Sequence, residues 1–552
     1  MESSPSGTSD SGQSASLKVN STAPPKPADN AEFSRIADRV RERIGRPVDK
    51  WAVTATLEAM GFRDTDAQSQ FGADDLFVLS ERLYSHLQSE GSPPSASTSP
   101  HRAGWKRTLQ TLTSYARGLL FVAPMALQIA AVLFLGYSLW AWLYFTEAQA
   151  TVVALGTLLS FIVTGGFVQS IGREGHLYQS QNAPHLAYRA CRRLIGVGML
   201  TVGGVTLFFL VTNAIFPYYP FSLMAISAVY FVLLSALWLS LSLLYIINHL
   251  SAIVGVTLIG IVPVFGVMTY TEWGIHVAHG VGLTLTVLLT YAYGSYWLRR
   301  RARLAPDSQK TDSLPPLSIQ IHNLRTYFGY GLCFFTFLSV DRVIAWSVAQ
   351  PEPPPYVIWF RTPYELGIDW ALLSLLLTLA VLQHTVQALS AWLFPKDQSL
   401  TLPIGVATRV VKWFHLRQLF LVLAVGGTSI LGTYYGVAAL ERSAFLPNDV
   451  VLLGSPVTRT VFWGAALGYL FLAVGLHNLL FPMMLSSPRP ALQSFLYALG
   501  ANVLIGLLLS RSLHYEYAVV GLLAGSLVLA VVSFVQTRRF LDSFAYHYYA
   551  AY

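Results

Sequence analysis

The sequence predicts an all-α, polytopic membrane protein. It has about twelve transmembrane helices in two six-helix pseudo-repeat halves, preceded by a small N-terminal soluble helical module. Three observations carry this reading. Of 552 residues, 53% are hydrophobic and only 12% are charged, where a soluble chain carries about 25% charged residues. Beyond Trp105 the chain falls into apolar runs, each near the roughly twenty residues that span about 30 Å of hydrocarbon. Lys and Arg are gathered in short clusters between these runs, which is how a topology signal is distributed. The same clustering, at a net charge of +8, argues against nucleic acid as a partner and for the lipid bilayer.

Residues 1–30 are rich in Ser, Pro, Gly and Asn and hold few large apolar side chains, so burial cannot offset their ordering entropy. They read as a disordered tail. They also lack the basic start and apolar core of a secretory signal, so the amino end is expected to stay cytoplasmic. Over residues 31–90 the periodicity becomes helical, with Phe33, Ile36, Val40 and Ile44 on one face. A second helix is expected from Val48 to Met60, stopping at Gly61. A third starts near Ala73 with a stripe of Leu76, Leu79, Leu83 and Leu87. So small a module is marginal alone, which points to support from the membrane domain or a partner. Asp64, Asp66, Asp74 and Asp75 lack the order of an EF-hand loop and read as solvated carboxylates. Residues 91–110, containing GSPPSASTSP, read as a linker.

The expected spans are 115–143, 150–171, 193–216, 222–247, 250–271, 275–298, 325–348, 366–394, 415–438, 459–482, 488–510 and 515–536. They divide into a first half over 111–298, a cytoplasmic linker over 299–324 and a second half over 325–552. With the amino end inside, the inner loops collect Lys106, Arg107, Arg173, Arg189, Arg192, Arg193, Arg299, Arg300, Arg301, Arg303, Lys396, Arg409, Lys412, Arg489, Arg538 and Arg539. The outer loops hold Arg361, Arg442 and Arg459, with Arg511 at the edge. This asymmetry predicts a multi-pass protein of the cytoplasmic (inner) membrane with both termini cytoplasmic. Trp140, Trp142, Trp273 and Trp359 then fall at the outer boundary, where interfacial aromatics belong.

The halves show weak internal likeness. The run Thr201–Leu207 in the third span parallels Ala424–Ile430 in the ninth, and Asn248-His249 is set against His477-Asn478. A parallel repeat places a substrate cavity between the halves.

Charge inside a bilayer costs about 2.5 to 3.5 kcal/mol on insertion scales, so Asp341 and Arg342 in the seventh span need an explanation. Counted from Arg325 they fall about 24 Å across, level with Glu365 and Asp369, which share a face of the eighth span. An ion pair pinning the hairpin and a cation- or proton-coupling cluster fit equally. His384, and the polar groups Asn248, His249, His477 and Asn478, are candidates for proton relay or for interhelical hydrogen bonding. Pro124 and Pro263 are expected to kink their helices, as gates or as shape. Gly464 with Gly468, and Gly521 with Gly525, have the spacing of close helix packing. The loop Glu352–Arg361 joins a proline run to aromatics and reads as an interfacial anchor, with sugar stacking as the alternative. No HEXXH, DXD or nucleotide loop is found, and Cys191 and Cys333 lack metal-ligand spacing. An enzyme, a metal site and a cofactor are therefore not expected.

Three segments resemble a known family. They are Thr164-Gly165-Gly166-Phe167-Val168-Gln169 followed by Arg173, Phe334–Arg342 with Trp346, and Tyr364-Glu365-Leu366-Gly367-Ile368-Asp369. They look like the membrane transporter subunit of the Pel exopolysaccharide system, the PelG family of the multidrug, oligosaccharidyl-lipid and polysaccharide flippase superfamily. The resemblance runs from about residue 110 to the end and leaves out the soluble module. It implies a flippase exporting a polysaccharide or lipid-linked saccharide by alternating access; the module at residues 31–90 is itself the hint of synthesis-complex proteins as partners. An ion-coupled multidrug or metabolite antiporter of the same superfamily, and a non-transporting scaffold of a polysaccharide synthesis complex, remain open.

Overall fold

The computed structural model describes residues 30–44, 47, 49–89, 123–304, 313–349, 356–393, 404–443 and 452–551. The chain divides into two compact units, one built on the soluble module and one on the membrane helices.

The module consists of α1 (Asn30–Ile44), α2 (Lys50–Ala59), α3 (Asp64–Phe71) and α4 (Leu76–Ser89). Its core is made of Ile36, Val40, Val53, Leu57, Phe71, Leu76, Leu79, Leu83 and Leu87, so the leucine stripe of the last helix faces inward. The short acidic helix α3 has no counterpart in the periodicity. It forms because the Asp66 carboxylate accepts the Arg63 N–H at 2.9 Å, and it stops at Gly72 in the left-handed region. Asp64 accepts the Leu76 N–H at 2.9 Å and Asp75 the Val78 N–H at 2.7 Å. These carboxylates satisfy the open N–H groups that begin α3 and α4, a structural role beyond mere solvation.

The membrane unit runs through α5 (Ala123–Leu135), α6 (Glu147–Ser180), α7 (Pro184–Ile215), α8 (Phe221–Ile246), α9 (Leu250–Tyr270) and α10 (Ile275–Arg303). It continues with α11 (Leu317–Trp346), α12 (Thr362–Leu393), α13 (Ile404–Glu441), α14 (Pro456–Met484), α15 (Arg489–Ser512), α16 (Ala518–Asp542) and the short α17 (Phe544–Ala551). Among the described residues, eleven helices, α6 to α16, are long and apolar enough to cross a membrane. The first expected span, 115–143, differs. Residues 115–122 lie outside the described residues, and α5 ends at Leu135 rather than continuing to 143. The chain turns at Gly136 (φ +83°), where Gln128 Oε1 accepts the Leu139 N–H at 2.9 Å and Tyr137 bridges to Trp142. Glycine adopts that φ without strain, so an apolar stretch that looks continuous breaks there.

The expected 299–324 linker is also shorter in structure. α10 reaches Arg303 and α11 already begins at Leu317, directly after Pro316. Hydropathy marks only the hydrocarbon-embedded part of a helix, whereas backbone hydrogen bonding carries the helix on into the polar zone.

Two apolar cores match the two halves. One gathers Ile171, Leu194, Leu234, Leu239, Val264 and Leu283 from α6 to α10. The other gathers Phe337, Trp346, Tyr364, Phe462, Phe495 and Leu522 from α11 to α16. Between them, Leu158 of α6 joins the second core and Leu324 and Tyr327 of α11 join the first, while Ile129 and Leu133 of α5 pack against the second core and Met483 of α14 against the first. Among the described residues, α6 and α11 meet along this seam between the halves.

The repeat is real in architecture but its polar markers are not equivalent. Asn248 follows the end of α8 with φ +60°, and Ser486 follows the end of α14 with φ +59°. Asn248 therefore corresponds to Ser486 as a turn residue, while His477 lies inside α14. Cβ atoms built on Gly203 and Gly204 would meet open space, whereas one on Gly426 would meet Leu470. Close packing is seen instead where α15 crosses α16: a Cβ on Gly521 would lie 2.5 Å from the Asn502 carbonyl oxygen, and one on Gly525 2.6 Å from that of Ala498.

Candidate functional site

Adjacent side chains on a helix project about 100° apart, so Asp341 and Arg342 of α11 serve different partners. Arg342 Nη1 donates to Glu365 Oε2 at 2.7 Å and Nη2 to Asp369 Oδ1 at 3.2 Å, the two carboxylates lying one turn apart on α12. Trp346 Nε1 donates to the other oxygen of Glu365 at 2.9 Å, and the buried Tyr469 of α14 lies against the guanidinium. Asp341 stands apart from this ion pair. Its Oδ2 accepts from the Tyr364 hydroxyl at 2.9 Å, and Oδ1 has no hydrogen-bond partner among the described residues, although the residue is only 1% exposed. Glu365 is likewise buried, whereas the Asp369 side chain is 60% exposed. With α11 starting at Leu317, Asp341 lies five residues before the helix end at Trp346, nearer the hairpin than a count from Arg325 places it. The arrangement offers one exposed carboxylate tied through an arginine to a buried one, beside a second buried carboxylate with a free oxygen. Groups of this kind bind cations or exchange protons.

The hairpin joining α11 to α12 is held from both halves. Its Glu352–Pro355 portion lies outside the described residues. In the rest, Trp359 Nε1 donates to Glu147 Oε2 at 2.9 Å and the Phe360 N–H to Thr151 Oγ1 at 3.0 Å, both on α6. The Tyr219 hydroxyl, between α7 and α8, donates to the Ile358 carbonyl at 2.7 Å. Burial, with Tyr356 beside it, pushes the Tyr219 hydroxyl up to about 12, so it stays protonated as a donor. From the second half, Arg361 Nη2 donates to the Val348 carbonyl at 2.7 Å, its guanidinium 5.2 Å from the Tyr515 ring centroid. Arg511 donates to the Ile344 and Ser347 carbonyls, placing positive charge on the C-terminal end of α11. Trp359 is thus a bonded clasp between the hairpin and α6.

At the opposite end of the same helices, Gln320 Nε2 of α11 donates to Glu174 Oε2 of α6 at 3.1 Å, both groups buried. Arg193 of α7 donates to the Pro315 carbonyl at 2.8 Å and to Gln320 Oε1 at 3.4 Å. Glu174 escapes a hydropathy reading because the second apolar run closes at 171, while α6 continues to Ser180.

The other polar candidates do not join the Asp341 group. His477 and Asn478 form a buried network with His415 of α13. The two imidazoles stack at 5.2 Å, His415 and Asn478 hydrogen-bond at 2.9 Å, and Asn478 Nδ2 reaches Ser533 at 3.0 Å. Pro482 has no N–H for the Asn478 carbonyl, and Thr537 donates to that oxygen at 2.9 Å instead. His415 sits between Lys412 and Arg417, where a sequence reading sees a basic helix end. In the first half, the Tyr230 hydroxyl meets His279 at 2.6 Å and His276 at 3.3 Å; the spacing of these histidines on α10 is the signal for them. Asn248 is exposed in its turn, and His249 contacts the Tyr293 hydroxyl at 3.0 Å. His384 of α12 is half-buried with Nδ1 unpartnered among the described residues. Pro263 lies inside α9, while Pro124 is the second described residue of α5.

Comparison with protein-family models gives no match, and neither does comparison with curated protein sequences. Solved structures do match. One is an outward-facing multidrug resistance MATE family transporter of the MOP superfamily, at TM-score 0.52 and 14% identity, with 78% of this chain and 96% of that one covered. Another is a mutant of the MATE transporter VcmN from Vibrio cholerae, at TM-score 0.52 and 14% identity, covering 80% and 98%. A MATE in complex with MaD3S aligns at 0.51 and 11%, covering 78% and 96%. The chain has the MATE transporter fold. At these identities the likeness is one of fold, and it spans nearly the whole of each transporter. The Asp341–Arg342 cluster therefore sits in the second six-helix half of a MATE fold, and the hairpin clasp sits where that half meets the first.

Proposed function

We propose that the chain is a transporter rather than an enzyme, a flippase-type exporter of a polysaccharide or lipid-linked saccharide that works by alternating access between α5–α10 and α11–α16. The observation that carries it is the MATE fold holding a buried, partly unsatisfied charge cluster at the α11–α12 hairpin. The saccharide is supported by convergence. The segments that resemble the Pel transporter subunit supply Asp341, Arg342, Trp346, Tyr364, Glu365 and Asp369, which all meet in that cluster. A second reading, an ion-coupled multidrug antiporter, is favoured by the multidrug resistance transporter among the structural matches. Transport of labelled lipid-linked saccharide in proteoliposomes, against transport of a cationic dye, with and without a proton or sodium gradient, separates the two.

In this reading Asp341 and Asp369 bind the coupling ion. Asp341→Asn and Asp369→Asn keep size and hydrogen-bonding capacity but cannot titrate. Each is expected to leave folded yield near normal and to remove gradient-driven transport. Unchanged gradient dependence in both variants rejects the coupling role.

The proposed location is the cytoplasmic membrane with both termini cytoplasmic, and with residues 31–90 facing synthesis-complex proteins. A single cysteine at Val357 should then react with an impermeant maleimide on intact cells, and one at Lys310 should not. Labelling at Lys310 overturns the orientation.

A further inference from the structure

Resting on the alternating-access reading, the contacts between α6 and α11 point to how the two halves move. The helices cross at glycines. A Cβ on Gly331 would lie 2.3 Å from the Gly165 carbonyl oxygen, and one on Gly165 2.9 Å from that of Gly331, so backbone meets backbone there, with the Phe335 ring and Gln169 Cγ packed at its edges. Next to the crossing, Phe161 stacks on Phe335 at 5.6 Å with the rings 9° from parallel. α6 carries a carboxylate toward each of its ends, Glu147 and Glu174, and each accepts a hydrogen bond from the opposite half. At 1.5 Å per residue, Glu147 lies about 27 Å and Glu174 about 14 Å from Gly165, on opposite sides of the crossing.

We propose that Gly165 and Gly331 form the fulcrum about which the halves rock, and that the two α6 carboxylates mark the paired gates. One gate joins Glu147 and Thr151 to Trp359 and Phe360. The other joins Glu174 to Gln320, with Arg193 bracing it. Both gates are closed in this structure. A rotation of about 10° about the crossing displaces the Glu147 end by about 5 Å and the Glu174 end by about 2 Å, enough to break hydrogen bonds that are lost beyond about 3.5 Å. Side-chain hydrogen bonds suit this role because each exchanges with hydrogen bonds to water and is weak in net terms, so a gate can hold a state without trapping it. The glycine contact persists through the motion because it lies on the axis.

The test uses the full chain with Cys191→Ala and Cys333→Ala. Thr151→Cys with Phe360→Cys allows the hairpin-end gate to be locked by a disulfide. A Gln320→Cys reporter in the same protein is then titrated with an impermeant maleimide applied to its own face. In the reciprocal protein, Glu174→Cys and Gln320→Cys form the lock and Trp359→Cys is the reporter. Locking either gate is expected to raise the reporter's modification rate at the other severalfold, reversibly on reduction. Labelled lipid-linked saccharide transport in proteoliposomes should stop while either disulfide is in place. Reporter rates that stay the same or fall at both ends overturn the gate assignment, as does transport that persists through a formed lock. Reciprocal reporter rates in a protein that moves no saccharide leave the gates standing and count against the saccharide reading. Saccharide transport without reciprocity does the opposite.

Discussion

Arg342→Ala is expected to lower the stability of the second half by roughly 3 to 5 kcal/mol, because it strands a buried carboxylate without its counter-charge. The loss centres on Glu365, whose side chain is 6% exposed and receives the 2.7 Å hydrogen bond from Arg342. Asp369 contributes less to that figure, since its side chain is 60% exposed and its contact with the arginine is longer, at 3.2 Å. Trp346 alone cannot compensate, as one neutral indole N–H remains for a carboxylate that held a guanidinium. The double variant Arg342→Met with Glu365→Gln removes both charges of this pair and is expected to recover the part of the loss that Glu365 carries, while the buried Asp341 still lacks the arginine's charge. Folded yield and melting temperature in detergent check both statements. If Arg342→Ala melts within a degree or two of the parent, the pair is not a structural support, and transport becomes the place to look for its effect.

Much of the architecture was legible because a bilayer leaves the sequence few choices: every backbone group within it must be satisfied internally, so apolar runs of spanning length become helices. The boundaries were less legible. Gly136 ends α5 inside an apolar stretch, and Pro316 starts α11 inside a stretch read as linker, since hydropathy records hydrocarbon and not hydrogen bonding. The candidate charges Asp341, Arg342, Glu365 and Asp369 stand out because ionised groups are costly at depth. Their division into an arginine with two acids and a separate Asp341–Tyr364 pair depends on the registry of α11 against α12, which no single sequence encodes. Glu174 and Gln320 were hidden for a different reason. Each lies where a helix continues past its apolar run, so each looks like a loop residue until tertiary packing buries it.

Gly331→Ala tests the closeness of the α6–α11 crossing directly. The added methyl would sit 2.3 Å from the Gly165 carbonyl oxygen and 2.8 Å from Gln169 Cγ. The glutamine can rotate away, but a helical carbonyl oxygen cannot, so the helices must separate or tilt along the seam where the halves meet. Overpacking of this kind typically costs about 1 to 3 kcal/mol. Its effect should reach both ends of the seam, loosening Trp359 from Glu147 and Gln320 from Glu174, because both contacts depend on the same interhelical distance. Gly172→Ala, two turns along α6, is the control: its Cβ meets nothing within 4 Å, and alanine favours a helix over glycine by about 1 kcal/mol in an exposed helix interior. Thermal melting in detergent should therefore fall for Gly331→Ala and hold or rise for Gly172→Ala. Amide exchange should quicken around Trp359 and Gln320 only in the first. Equal melting temperatures for the two variants would mean that the helices do not meet backbone to backbone, and the crossing could then not act as a fixed axis.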